Sequence, residues 1–152
     1  ADNPVFNKYT DLYAMAYHIF ALLMNGSSPF ASMANMEEIS QHPSKNVSSI
    51  DIDQFHAAEK GEFVFARHLL FKKAPEYAPK YKMLSPELRK LFERAFIEGA
   101  KNPKVRPEAK EFYDALTEYL ESLEECHCGH YGHYMPSTYT GECEWCRIEN
   151  LK

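Results

Sequence analysis

Thr10–Phe30, TDLYAMAYHIFALLMNGSSPF, decides the fold. Within it Leu12, Met15, Ala16, Ile19, Leu22 and Leu23 recur at helical spacing, while Tyr13, Tyr17 and Phe20 fill most of the remaining arc. A helix apolar on nearly every side belongs in the middle of a domain, with other elements packed on several faces. Thr10 and Asp11 are suitable N-caps, and Asn25-Gly26 is a suitable stop. Pro29 biases the residue before it away from helix, so Ser28-Pro29-Phe30 leaves in an extended turn. The stretch is too short, and too polar at both ends, to cross a bilayer.

Two further helices are expected downstream. Leu84-Ser85-Pro86-Glu87 reads as a helix start: Ser85 caps, Pro86 takes the first helical position and Glu87 complements the positive end of the dipole. Leu88, Leu91, Phe92, Ala95 and Phe96 form its buried stripe, ending at Gly99. A loop then reaches Arg106-Pro107, where Pro107 opens a last helix with Phe112, Ala115, Leu116, Tyr119, Leu120 and Leu123 inward. The acidic residues on its other side, among them Glu108, Glu111, Asp114 and Glu118, read as a solvated face rather than an acidic binding site.

Residues 31–51 read as a surface excursion with one helical turn near Met36–Ser40. Ile52–Lys60 fits a short helix capped by Asp51 and stopped by Gly61. Glu62–Phe71 fits a short extended piece, and Pro75 and Pro79 mark a packed loop. With no convincing strand alternation, the fold class is mainly α.

The chain has 152 residues, enough for one cored domain with a small appendage, divided here into 1–124 and 125–152. A hydrophobic content of 45% excludes a disordered chain, and a net charge of -5 disfavours a nucleic-acid-binding surface. No signal peptide, lipidation motif or membrane-spanning run is visible, so the expected location is cytoplasmic.

All four cysteines, Cys126, Cys128, Cys143 and Cys146, fall in the last segment as C-x-C-x14-C-x2-C, with His130 and His133 just after the first pair. Disulfides that staple a secreted fold are usually spread through the chain, so this clustering points to metal. Soft thiolates, with or without imidazole, suit a closed structural zinc site. The four cysteines are the expected ligands, with His133 as the substitute; free thiols or two disulfides are the bland alternative. Gly129 and Gly141 are read as supplying tight turns, and Tyr134 and Trp145 as packing anchors. A tail this short cannot build its own core, so the ion would fold it against the last helix.

Three stretches together resemble the lower half of a protein-kinase C-lobe: the buried helix ending in G-x-x-PF, LSPELRKLFERAF, and NPKVRPEAKEFYDAL. With the Cys-rich tail, the chain resembles bacterial Ser/Thr-kinase-like proteins that carry a C-terminal C…H-x-Y…CPWC segment, some described with helix-hairpin-helix DNA-binding motifs. The resemblance covers Val5 to about Leu123 and is interrupted by the link between Ala31 and Met83. It implies that Asp11 holds the backbone of a catalytic loop, and that Arg106 pairs with a Glu at the end of an activation segment. That Glu would fall just upstream of Val5, where the chain has Asn3-Pro4, which leaves Arg106 to cap a carbonyl. It also implies one Cys (Cys126 or Cys128), His133, Cys143 and Cys146 as zinc ligands.

Kinase chemistry needs a Gly-rich loop, a β3 Lys, an HRD-type loop and a DFG Asp, none of which is in this sequence. The expected function is therefore a non-catalytic scaffold or substrate platform, partnered by an upstream kinase-like half. The alternative is a stand-alone interaction module that binds a partner, or a second copy, through the zinc tail or residues 31–83. Nucleic-acid binding is disfavoured by the glutamates around the cysteines. His18, His42, His56 and His68 make no recognisable triad with a nearby nucleophile.

Overall fold

The computed structural model describes residues 6–32, 47–66, 69 and 73–151, and the side chains of all of these except 47–53. The turn expected near Met36–Ser40 lies outside the described residues. Those described are mainly helical, as expected: α1 (Lys8–Leu23), α2 (Val47–Lys60), α3 (Pro86–Glu93), α4 (Ala109–Glu121) and α5 (Glu144–Glu149), with one two-stranded ribbon, β1 (Leu123–Glu125) and β2 (Tyr134–Pro136). No helix among them is long and apolar enough to cross a membrane.

Helix α1 begins earlier than its sequence suggests. Asn7 is the N-cap, its side-chain oxygen accepting from the amides of Tyr9 (2.9 Å) and Thr10 (3.2 Å). Thr10 completes the capping box from the third helical position, and Asp11 sits in the first turn. Two consecutive left-handed residues, Asn25 (φ 54°) and Gly26 (φ 79°), end the helix where expected.

The expectation that α1 is enclosed on nearly every side is corrected. Only Ala16 and Phe20 are fully buried, and Leu22 is 83% exposed. The buried side faces a cluster of aromatic rings. Phe20 meets Phe92, Phe63 and Phe96 edge-on at 5.2, 5.6 and 5.9 Å, and Phe96 also receives Phe30 from the Pro29-Phe30 turn at 5.7 Å. Edge-to-face contacts of this kind contribute about 0.5–1.5 kcal/mol each beyond area burial. The amide of Val64 donates to the carbonyl of Pro29 (2.9 Å), tying the turn to the segment after α2. That helix starts before Asp51, which therefore lies within it rather than capping it, and Gly61 (φ 68°) ends it as expected.

Helix α3 opens as its sequence dictates, with Ser85 Oγ accepting from the amide of Leu88 (3.3 Å) and Pro86 in the first turn. All five residues of its expected stripe are buried. It continues beyond Glu93 through a π-helical stretch, Arg94–Glu98, into Gly99–Lys101. The wide turn brings Arg94 to two partners in the next element: its Nε donates to the carbonyl of Val105 (2.9 Å) and its Nη2 to Glu111 (2.5 Å).

In α4 the N-cap is Glu108, whose backbone amide is bonded by the Glu111 carboxylate (2.9 Å), so Pro107 precedes the cap instead of opening the helix. Phe112, Ala115 and Tyr119 are buried as expected, but Leu120 is 69% exposed, because the packed stripe is narrower than the apolar one. The ribbon follows directly: Leu123 pairs with Pro136, Glu124 with Met135 and Glu125 with Tyr134. Met135 reaches the same core as α1 and α3, so the tail shares the core of the helical body.

Candidate metal centre

The ribbon and α5 together position the cysteines. Cys126 and Cys128 follow β1, the turn through Gly129 (φ 74°) and Gly132 (φ 85°) carries His130 and His133, and Cys143 is the N-cap residue of α5 with Cys146 one turn later. The bond from the Cys126 amide to the His133 carbonyl (2.7 Å) closes this loop onto itself. Gly141 has ordinary backbone torsions; a Cβ there would lie 2.5 Å from the Tyr139 ring, so close packing, not turn geometry, requires glycine.

The four sulfurs lie within 4.8 Å of one another, close enough to hold a metal ion. A second set, Cys128, His130, His133 and Cys146, meets the same criterion. His133 is 7% exposed, with its Nδ1 3.5 Å from both Cys128 Sγ and Cys146 Sγ. His130 Nδ1 lies 3.9 Å from Cys146 Sγ. The backbone amide of Cys128 donates to Cys126 Sγ (3.3 Å).

The thiols do not titrate alike. The bond from the Cys126 side chain brings Cys128 down to about 6, against the opposing effect of burial. Burial pushes Cys143 up, but the amides of Cys146 and Trp145 and the neighbouring thiols outweigh it, and the net direction is down. Cys126 and Cys146 are raised, each first by its bond to Cys128. Thiolates are the metal-binding form, so a centre in which two thiols already favour it is chemically ready for a cation.

Helix α5 fastens this centre to the helical body through groups the sequence does not advertise. Glu144 is 1% exposed, accepts from the Lys80 amide (3.3 Å) and is bonded by Arg147 Nε. The other guanidinium nitrogens of Arg147 donate to the carbonyls of Glu76 and Ala78, both at 2.9 Å. Of the two expected anchors, Trp145 packs against the core and donates from Nε1 to the Tyr134 carbonyl (3.0 Å), whereas the Tyr134 side chain is 46% exposed. Met135 and Ile148 are the buried anchors instead.

Asp11 and Arg106 are far apart in role. Asp11 is exposed and makes no side-chain hydrogen bond among the described residues. Arg106 donates from Nε to the Gly99 carbonyl (3.0 Å) and from Nη1 to the Tyr9 carbonyl (2.8 Å), with its guanidinium 4.9 Å from the centre of the Tyr13 ring. It is a carbonyl cap that ties α1 to the end of the α3 extension.

No protein-family model, curated protein or solved structure matches this chain. Function therefore has to be argued from the centre itself. Glu149 and Arg147 are the residues that sequence reasoning missed. The only signal for them was the i, i+3 spacing of Glu144 and Arg147, which is common on any helix.

Proposed function

We propose that the chain is a non-catalytic helical scaffold whose C-terminal segment is held in place by structural zinc. The observation that carries this is the convergence of four cysteine sulfurs at a segment bolted to the body by Arg147 and the buried Glu144. An all-thiolate donor set with no carboxylate or open position suits zinc in a structural role. The ribbon and α5 are too small to hold their shape without it.

The scaffold serves as the lower part of a kinase-like C-lobe, in which an upstream half would supply the catalytic loop and this body the platform beneath it. In support stand α1, its buried Pro29-Phe30 turn, α3, the Arg106 loop and α4, in that order. Residues for magnesium and nucleotide binding are missing from this sequence, so the chain alone transfers no phosphoryl group.

Metal content after purification, with thermal unfolding before and after treatment with a strong chelator, tests the zinc assignment. Zinc-loaded protein that loses thermal stability on chelation is expected. A metal-free protein with unchanged unfolding overturns it.

A further inference from the structure

The two four-donor sets share Cys128 and Cys146, and each set is complete by itself. We propose that the segment binds two divalent ions in sites that share an edge. Cys126 and Cys143 are the terminal ligands of one ion, His130 and His133 those of the other, and the Cys128 and Cys146 thiolates bridge both. This deepens the zinc assignment above and rests on it.

Donor count is the first reason. One tetrahedral ion takes four ligands, yet six donors converge here, so two stay idle with a single ion. His133 is not placed like an idle group. A buried imidazole with Nε2 held 3.0 Å from a Glu149 carboxylate oxygen has its other nitrogen fixed, and that nitrogen faces the two shared sulfurs equally. Zinc bonds of about 2.3 Å to sulfur and about 2.0–2.1 Å to nitrogen give a tetrahedron a sulfur–nitrogen edge of about 3.5 Å. Both His133–thiol distances are 3.5 Å. The carboxylate behind the imidazole is the usual outer partner of a metal-binding histidine.

Charge is the second reason. Four thiolates around one divalent ion leave two negative charges in a segment that also carries Glu124, Glu125, Glu142 and Glu149. A second divalent ion, bound through two neutral imidazoles and the same thiolates, brings the cluster to neutrality. A thiolate sulfur keeps a lone pair after binding one metal, so bridging needs no further ligand and no change in oxidation state.

Zinc content of the intact chain by elemental analysis and native mass spectrometry tests the count. Cobalt titration of the metal-free protein tests the bridge. Two ions per chain are expected in the wild type and one in the His130→Ala/His133→Ala variant, which keeps all four cysteines. The second cobalt equivalent should weaken the paramagnetic resonance of the first, because shared sulfurs couple the two spins. This readout uses the wild type alone and stands even if the variant does not fold. Saturation at one ion, or a second cobalt that adds an independent signal, overturns the two-ion centre and leaves structural zinc intact. Binding of no metal overturns both.

Discussion

Nε2 of His133 lies 3.0 Å from Oε1 of Glu149, so a residue near the end of α5 decides which imidazole nitrogen faces the thiols. With Nε2–H donating to the carboxylate, Nδ1 carries the lone pair toward Cys128 and Cys146. Loss of such an outer partner typically weakens metal binding about 10–100-fold. Glu149→Ala should therefore lower affinity at the histidine side by roughly 10-fold, read by competition against a chromophoric chelator. Unchanged affinity would show that Glu149 does not orient the ring for metal.

Cys146 belongs to both donor sets, so no rearrangement of the remaining ligands replaces it. Cys146→Ser should abolish stoichiometric zinc binding and release the ribbon turn and α5. The aromatic core around Phe20 and Phe96 is built from other segments, so most helical circular dichroism should persist. Retained zinc would shift the site to ligands that exclude Cys146.

Arg147 contacts three partners: the buried Glu144 carboxylate and the carbonyls of Glu76 and Ala78. Removing one member of a buried ion pair leaves the other charge without compensation, at a cost of about 3–5 kcal/mol. Lys80 still offers its amide to Glu144, with its Nζ 4.0 Å away, so Arg147→Ala should cost about 3 kcal/mol, the low end. Chemical denaturation of the zinc-loaded protein measures it. A loss below about 1 kcal/mol would place Arg147 among ordinary surface ion pairs.

Local signals survived from sequence to structure where a few neighbouring residues settle the matter. Ser85-Pro86 started α3, Gly61 and Asn25-Gly26 ended their helices, and the stripe from Leu88 to Phe96 is buried as its periodicity requires. What stayed hidden depends on distant partners. Leu22 and Leu120 have the right spacing for a core, yet nothing among the described residues packs over them, and exposure follows. The β1–β2 ribbon is three residues per strand, too short for alternation to register, and exists because the turn between its strands closes on itself. The cysteine cluster was legible because ligand spacing is itself local. Its second donor set was not, since the positions of His130 and His133 relative to Cys146 follow from the fold of the turn.

Gly99 ends the π-helical stretch, and a Cβ there would lie 2.8 Å from Arg106 Cγ and 3.0 Å from the Arg94 carbonyl. An ordinary exposed helical glycine gains about 0.5–1 kcal/mol on replacement by alanine. Here the backbone contact cannot yield, and displacing Arg106 breaks its bonds to the Gly99 and Tyr9 carbonyls. Gly99→Ala should therefore destabilise by about 1–3 kcal/mol, as overpacking does. A stabilised variant in denaturant titration would mean that the π turn relaxes freely.

Glu111 supplies a pH dependence away from the metal centre. The Arg94 guanidinium, followed by the Glu108 amide, holds its carboxyl below the ordinary value of 4.5, against a small opposing effect of burial. A lowered folded pKa means that the unfolded chain takes up the proton first. The pair's contribution is thus fully present above about pH 4.5 and is lost as pH falls through the folded value. The Glu111 side chain is 42% exposed, so solvent screening keeps the effect modest. Glu111→Gln should flatten the acid limb of stability relative to wild type, measured as the difference between the two proteins so that zinc release, common to both, cancels. Parallel acid limbs would show that the Arg94–Glu111 pair contributes nothing to folding.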